Sequence, residues 1–531
     1  MQEGSTFISA HKIFSCLNLM EDLIRALIRK LVLLRYHPYV FLLEVFNFHF
    51  NIMSTTYSNK LLCSGSKRNS RCFSVYLLAV LLMTGCKKLV ELDPPKNESV
   101  SSAVFTTDAS ASTAMTGLYA GLANESSVYT TIGYLGSLSA DESDPANAFY
   151  FYLPIGTNSL TPDNGVVQNL WSGMYSTIFK ANSIIENIQS SKGMSDSVKL
   201  HYSGEAKFVR ALSLYYLTNF FGPVPVITTT DVKTNMAAGR ADTLTVYKQI
   251  IADLADAQKT LPADYASYNN RRDRASQGAA AALLAKAYLM LGDNVNAELA
   301  ASAVISNNLY ILQPESEIDN VFLKDSPETI WAINPETATG HTLTTDATYY
   351  GTSNLYGALF GPQYVLLPGL VNSFESGDLR KTHWINTFTY QDIDYYYGAK
   401  YKDYDPNLKP AEYDVVLRLS EQYLIRAEAR IKQGNITGAQ SDLDVVRNRA
   451  GLGNTTAATH DELVDAILEE RQHELFLEFA NRWFDLKRTG RANSILGALK
   501  PSTWKPTAAL YPLPIEELKK APQLTQNPGY N

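Results

Sequence analysis

Residues 277–305 read QGAAAALLAKAYLMLGDNVNAELAASAVI, and this stretch indicates the fold most directly. Its first half is built almost entirely from Ala, Leu and Tyr, and the pair Gly292-Asp293 then interrupts it. Small and apolar residues resume at 296–305, which predicts a second helix after a tight turn. Residues 421–450 repeat this arrangement with a helix at 421–433, Gly434, and a helix at 439–450.

The rest of the chain alternates between helical and irregular patterns. Apolar residues spaced three or four positions apart predict further helices at 105–122, with Asp108 as its N-cap, and at 170–189, 198–220, 243–261 and 461–479. An alanine-rich helix, a glycine turn and a second helix resemble a tetratricopeptide unit. We predict a mostly α fold with about four such hairpins, and generic helical hairpins are the alternative. Long irregular loops with short strands are expected at 129–169, 315–418 and 489–531.

Composition excludes several classes of function. The 531 residues carry a net charge of −7, which argues against binding to a phosphate backbone. Cys86 is the last cysteine, so the main body has neither a disulfide framework nor a cysteine-ligated zinc nor a thiol nucleophile.

The N-terminal region is typical of a targeting segment. Residues 60–71 are basic, residues 72–83 read CFSVYLLAVLLM, and Thr84-Gly85 then precede Cys86. This order predicts a signal peptide at 53–85, and the cysteine after the small pair resembles a bacterial lipobox, where Cys86 would receive the lipid. We expect translation to start at Met53, with 1–52 as a doubtful upstream extension. An uncleaved core helix is the alternative. Residues 86–104 are polar and contain proline, so they are predicted to be a tether.

Several blocks of the remaining chain, taken in order, resemble one family. They are GEAKFVRALSLYYLTNFFGPVPVI at 204–227, LVNSFESGDLR at 370–380, RAEA at 426–429, DLDVVRNRAGL at 442–452, ILEERQHELFLEFANRWFDLKR at 467–488 and QNPGY at 526–530. Together they resemble the SusD/RagB family of nutrient-binding lipoproteins. The resemblance covers nearly all of residues 86–531 and implies a SusD-like domain at 105–531.

The resemblance implies a function at the bacterial surface. Proteins of this family are lipid-anchored on the outer face of the outer membrane. They capture a glycan or a peptide and pass it to a SusC-like TonB-dependent transporter without catalysis. We therefore expect a glycan-binding protein with no cofactor, no metal and no nucleic-acid partner. A peptide-binding protein of the same architecture, a secreted carboxylate-dependent hydrolase and a purely structural scaffold are the alternatives.

Motifs of catalysis and of metal binding do not stand out. His473-Glu474 begins a zincin pattern, but position 477 is Leu. Residues 403–407 begin like a calcium loop, but Leu408 replaces the required glycine. The charged residues at 469–478, including an Arg471–Glu474 pair at i,i+3 spacing, favour a network that ties their helix to the domain over an acid/base site.

Ligand contacts are expected in the aromatic loops. Sugar rings need flat aromatic faces, and their hydroxyls need carboxylates and amides. Loop segments at 141–152, 349–356 and 384–397 combine these groups, and the predicted ligand-binding residues are Asp141, Tyr150, Tyr152, Tyr350, Trp384 and Tyr396. The alternative is that 149–152 and 395–397 are strands with half of their rings in the core. Trp171, spaced helically with Tyr175, is predicted to be a core residue.

Overall fold

A computed structural model gives the architecture of the chain over residues 105–123, 128–146, 152–335, 343–351, 361–402 and 411–530. The predicted signal peptide, Cys86, Tyr150 and the calcium-like segment 403–407 lie outside these ranges. Among the described helices, none is long and apolar enough to cross a membrane.

Helices dominate the described part of the chain. In chain order they are α1 Asp108–Ala123, α2 Val128–Ser139, α3 Leu153–Gly156, α4 Gly165–Ser190, α5 Asp196–Phe221, α6 Val232–Ala237, α7 Thr243–Thr260, α8 Gln277–Leu291, α9 Asn294–Ile305, α10 Thr345–Tyr350, α11 Pro368–Ser373, α12 Leu379–His383, α13 Leu419–Lys432, α14 Ile436–Arg449, α15 His460–Leu475, α16 Asn481–Arg488, α17 Ala492–Leu499 and α18 Ile515–Lys520. The prediction of a mostly α fold is confirmed.

Six short strands pair within the described ranges, each with one antiparallel partner. The strands are β1 Ser143–Pro145, β2 Thr329–Ile333, β3 Tyr364–Leu366, β4 Ile385–Tyr390, β5 Ile393–Gly398 and β6 Asp414–Arg418. β1 pairs with β3, β2 with β6, and β4 with β5. Only the β4–β5 pair is a local hairpin, so the other two pairs join distant parts of the chain.

The helical hairpins of the sequence form the scaffold. Ser276 caps α8 by accepting a hydrogen bond from the backbone N–H of Ala279. Gly292 ends α8 with φ at +72°, a conformation that favours glycine. α8 packs on α9, α9 on α13, and α13 on α14, and the same succession continues backwards through α7, α5 and α4. Alanines at the α8–α9 contact are fully buried and allow the backbones to approach closely.

Some sequence predictions of helices were wrong. Residues 128–139 form α2 instead of a loop, because the helix is buried on all sides and lacks the polar face that produces a helical period. Its Gly136 leaves no room for a side chain, since an added Cβ would lie 2.3 Å from the Cα of Ala480. Two further helices, α17 and α18, occupy part of the expected loop at 489–531.

The predicted helix ends also need correction at two positions. α15 ends at Leu475, since Leu477, Phe479 and Ala480 all have positive φ. Asp108 is already helical, and its carboxylate accepts hydrogen bonds from Ser195 instead of capping α1.

A buried group of charges joins α12, α14 and α15 to β6 and to the residues just before β2 and after β5; we call it the ion network. Its cations are Arg380, Lys400, Arg418 and Arg449, and its carboxylates are Glu328, Asp378, Glu470, Glu474 and Glu478. All of these side chains are at most 5% exposed. Glu474 contacts Arg380, Arg418 and Arg449 at once.

The expected charge network around α15 is therefore present, although one pair differs. Arg471 does not pair with Glu474; its Nε lies 2.7 Å from Asp485 Oδ2 in α16. Three guanidinium groups hold the pKa of Glu474 well below its ordinary value, against the effect of burial. The network therefore connects α14 and α15 to the segments that follow β2 in the chain.

Candidate functional site

Five tyrosine rings form one continuous group, which we call the tyrosine cluster: Tyr134, Tyr152, Tyr349, Tyr350 and Tyr364. Tyr134 is stacked on Tyr364 with ring centroids 5.2 Å apart. Tyr152 and Tyr349 each approach Tyr134 at 5.4 Å, with their rings tilted to it. These distances are typical of favourable ring pairs.

Long-range pairing assembles the cluster. The β1–β3 pair sets Pro145 opposite Tyr364, which brings the chain after α2 to the strand after α10. The buried helix α2 supplies Tyr134, and the short α10 supplies Tyr349 and Tyr350. β5 packs beside β3 and α10, so the β4–β5 hairpin borders the same group of rings.

The rings of this region differ in how far they are open to solvent. Tyr134, Tyr350 and Tyr364 are buried, whereas Tyr152 and Tyr349 are only half-buried. On the neighbouring hairpin, Tyr395 and Tyr396 are also half-buried, and their strand is the one that the sequence offered as an alternative. The partly exposed rings are the ones that a ligand can reach.

Two predicted ligand-binding residues lie in the interior instead. Tyr350 is 1% exposed, and its hydroxyl hydrogen bonds with Ser137 Oγ at 2.9 Å. Burial, followed by the charge of Asp346, raises the pKa of Tyr350 well above its ordinary value, so the hydroxyl stays protonated. Tyr350 therefore supports the tyrosine cluster from below and offers no ring face to a ligand.

Trp384 is the second predicted ligand-binding residue that lies in the interior. Its ring is fully buried, and its Nε1–H points to the carbonyl of Ile318 at 3.3 Å. Lys400 Nζ lies 4.9 Å from the ring centre and the guanidinium carbon of Arg449 lies 5.3 Å from it. The indole is thus an aromatic partner of the ion network, where it stabilises buried cations.

Asp141 lies on the turn between α2 and β1, where an arginine holds it. Both of its oxygens accept hydrogen bonds from Arg482, at 2.8 and 2.7 Å. Lys500 Nζ fastens the same turn by donating to the carbonyls of Leu138 and Ala140. A carboxylate has further lone pairs, so Asp141 can still accept from a hydroxyl in a fixed orientation.

Glu142 follows Asp141 and is buried. Its Oε2 accepts the backbone N–H of Leu477 at 3.2 Å, while its Oε1 has no partner. Burial, with a smaller contribution from Asp141, raises the pKa of Glu142 to about 8. Among the described residues, no group of three or more His, Cys, Asp and Glu side chains could hold a metal ion. The described site therefore offers rings, hydroxyls and a fixed carboxylate.

A separate cleft of about 560 Å³ lies between α4, α6 and α18. Its lining is largely apolar, and Phe179 and Met236 on its rim are 48% and 66% exposed. Trp171 is buried beside it with its ring 4.9 Å from that of Tyr175, which confirms the prediction that Trp171 is a core residue. This cleft is a second surface against which binding at the tyrosine cluster can be compared.

Sequence reasoning overlooked Tyr134 and Tyr364. Tyr134 lies in a helix without a polar face, and Tyr364 opens a strand of only three residues. Neither residue therefore lies in a pattern that can be recognised from a single sequence. Tyr150, which the sequence analysis selected, lies outside the described residues.

The fold and the rings define a class of protein: a scaffold of helical hairpins that carries an aromatic surface on its loops. A sequence profile described as "Starch-binding associating with outer membrane" matches residues 92–289. A second profile, described as "SusD family", matches residues 372–530. The chain belongs to the SusD/RagB family.

Similar proteins span nearly the whole chain. Two SusD-like proteins of Formosa agariphila are 24% and 28% identical to it, each covering 86% of this chain and at least 98% of their own length. A solved structure titled "Laminarin binding SusD-like protein" is 25% identical. It superimposes with a TM-score of 0.68 over 80% of this chain and 100% of its own.

Proposed function

We propose that this protein is a cell-surface lipoprotein that captures a glycan and delivers it to a SusC-like TonB-dependent transporter of the outer membrane, without catalysis. The observation that carries the proposal is the set of partly exposed rings at Tyr152, Tyr349 and Tyr396, borne by a member of the SusD/RagB family. The laminarin-binding neighbour supports a glycan as the class of ligand.

The geometry suits a sugar chain. Pyranose rings present C–H-rich faces that stack on aromatic rings, and their edges present hydroxyls that hydrogen bond with phenols and carboxylates. Tyr152 and Tyr349 both rest against the buried Tyr134, so their rings are supported before a ligand arrives. Because little side-chain entropy is lost on binding, such supported rings favour affinity.

Binding and calorimetry with the chain from residue 87 onward test the ligand class. Soluble polysaccharides, their oligosaccharides and mixed oligopeptides form the panel, and release of reducing sugar is measured in parallel. We expect one glycan class to bind without sugar release. Replacing Tyr396 or Tyr152 by Ala should weaken that binding by about 1–3 kcal/mol, as loss of an aromatic stacking contact does.

Phe179→Ala is the matched control, because it removes a half-exposed ring from the apolar cleft instead of the tyrosine cluster. We expect it to leave glycan affinity unchanged. Loss of binding in Phe179→Ala, with no loss in Tyr396→Ala or Tyr152→Ala, would place the ligand in the cleft. Binding of oligopeptides alone would replace the glycan by a peptide, and sugar release would replace capture by hydrolysis.

Anchoring and delivery need separate tests. Cys86→Ala should release a folded protein into the soluble fraction, and continued membrane retention would contradict lipid anchoring at Cys86. The anchored protein should co-purify from detergent-solubilised outer membranes with a TonB-dependent transporter. Absence of any transporter from that fraction would contradict the delivery step.

A further inference from the structure

A small cavity lies between α1, the segment that precedes α8, and β2. Its volume is about 40 Å³, and its polar lining comes from Tyr119, Arg271, Asp273, Arg274, Trp331 and Asn334. None of these residues belongs to the tyrosine cluster or to the ion network. The cavity is therefore independent of the function proposed above.

Two buried polar atoms of this lining have no hydrogen-bond partner. One is Oδ1 of Asp273, whose side chain is 4% exposed, and the other is Nε1 of Trp331, which is fully buried. The second oxygen of Asp273 is engaged, because Asn334 donates to it at 2.8 Å. An unpaired buried donor or acceptor is destabilising, and here one of each belongs to residues that line the same cavity.

The charges around the cavity select a neutral occupant. Arg274 is already paired with Glu205, at 2.8 Å between Nη2 and Oε1, and its guanidinium carbon lies 4.6 Å from the centre of the Tyr119 ring. Arg271 Nε lies 3.3 Å from Asp273 Oδ2. A cation would meet these guanidinium groups and the indole N–H, whereas an anion would meet the carboxylate of Asp273.

We propose that this cavity is a hydroxyl-binding site. A hydroxyl group is neutral, donates one hydrogen bond and accepts others, so it can donate to Asp273 Oδ1 and accept from Trp331 Nε1. The cavity of about 40 Å³ has room for such a group, since a buried water needs roughly 10–15 Å³ of accessible space. The hydroxyl comes either from a bound water or from the end of a small polyol that enters beside Arg271, whose side chain is 51% exposed.

Indole resonances report on both sources. The protein has five tryptophans, so ¹⁵N labelling of tryptophan gives five indole N–H signals, and Trp331→Phe identifies the one from Trp331. Bound water should give a cross-relaxation signal between a long-lived water and the Trp331 indole proton. Glycerol, added as the polyol probe, should shift the Trp331 signal saturably and remove the water signal if a polyol hydroxyl occupies the site.

Trp483 is the matched control. Its Nε1 is also buried without a partner, but it does not line this cavity. In Asp273→Asn the amide oxygen is needed to accept from Asn334, so an NH2 group takes the place of Oδ1, and the water or glycerol response at Trp331 should weaken by about tenfold or more. It also keeps the test available if Trp331→Phe does not fold.

The water and glycerol signals together decide whether the site exists and what occupies it. A water signal that glycerol does not displace supports the site with water as the source, and displacement by glycerol supports it with a polyol as the source. Absence of both signals at Trp331, an unaltered response in Asp273→Asn, or an equal response at Trp483 would overturn the proposal.

Discussion

Two aromatic regions of this protein look alike in sequence and differ in structure. The tyrosine cluster keeps Tyr152 and Tyr349 half-buried over a buried floor of rings, whereas Trp384 is enclosed by the ion network. Both come from loop-rich segments between helical hairpins. The difference lies in their neighbours, because the buried, paired cations of the ion network pack against the Trp384 ring, whereas the rings beside Tyr152 and Tyr349 leave these two partly exposed.

The largest expected effect concerns the ion network. Glu474→Gln removes the charge that Arg380, Arg418 and Arg449 share, and leaves those buried cations short of a partner. We expect the free energy of unfolding to fall by about 5 kcal/mol, the upper part of the range for breaking a buried ion pair. Urea denaturation measures it.

Glu469→Gln is the control for this change, since Glu469 is exposed on the same helix. It should alter the free energy of unfolding by no more than about 0.5 kcal/mol. Equal effects of the two substitutions would mean that the network contributes no more than a surface charge.

Trp384→Ala tests the other side of the comparison. The substitution leaves a cavity in the core and removes a ring from beside Lys400, so we expect a loss of stability of about 3–5 kcal/mol. Glycan affinity of the folded fraction, measured by calorimetry, should not change. Weakened binding at unchanged stability would instead return Trp384 to the ligand site.

Glu142 gives the tyrosine-cluster side a pH dependence. Its pKa of about 8 in the folded protein is above that of the unfolded chain, so the folded state holds the proton more tightly. Its stabilising contribution is complete below the unfolded pKa and is lost as pH rises through the folded one. When the pH is raised from 5 to 7, the free energy of unfolding of the unaltered protein should therefore fall by about 2–3 kcal/mol more than that of Glu142→Gln. Urea denaturation at each pH measures both.

The Glu142→Gln variant is needed as a reference because other buried groups also have shifted pKa values and change stability with pH. Burial lowers the pKa of Lys487 to about 7 in the folded protein, so its stabilising contribution is lost as pH falls and acts in the opposite sense. Taking the difference between the two proteins at each pH cancels Lys487. Identical pH profiles would show that Glu142 is not held protonated.

Local patterns predicted the scaffold because the scaffold is local. Gly292 and Gly434 mark the turns of two helical hairpins, and both have positive φ. The charged residues of α15 also indicated a network correctly, although the sequence could not show that Arg471 would pair with Asp485. Pairing in a fold depends on which elements meet, and spacing along one helix reports only on that helix.

The site could not be predicted to the same extent, since it depends on long-range pairing. Tyr134 and Tyr364 are stacked, yet 230 positions separate them by residue number, and the β1–β3 pair that joins their elements is three residues long. Trp384 and Tyr396 lie only twelve positions apart, and one is fully buried while the other is half-buried. Aromatic content alone cannot separate such residues, because exposure is set by the packing of distant elements.

The smallest expected effect is at the tip of the β4–β5 hairpin. Tyr390 is 48% exposed and is paired in register with Ile393 beside the turn, away from the strand end that packs on α10. Tyr390→Ala should change both stability and glycan affinity by no more than about 0.5 kcal/mol, because an exposed ring at a turn has few contacts to lose. Calorimetry measures the glycan affinity of Tyr390→Ala and of Tyr396→Ala under the same conditions. If Tyr390→Ala weakens binding as much as Tyr396→Ala does, the ligand surface extends along the hairpin to its tip, and the exposure of a ring determines binding more than its packing against the core.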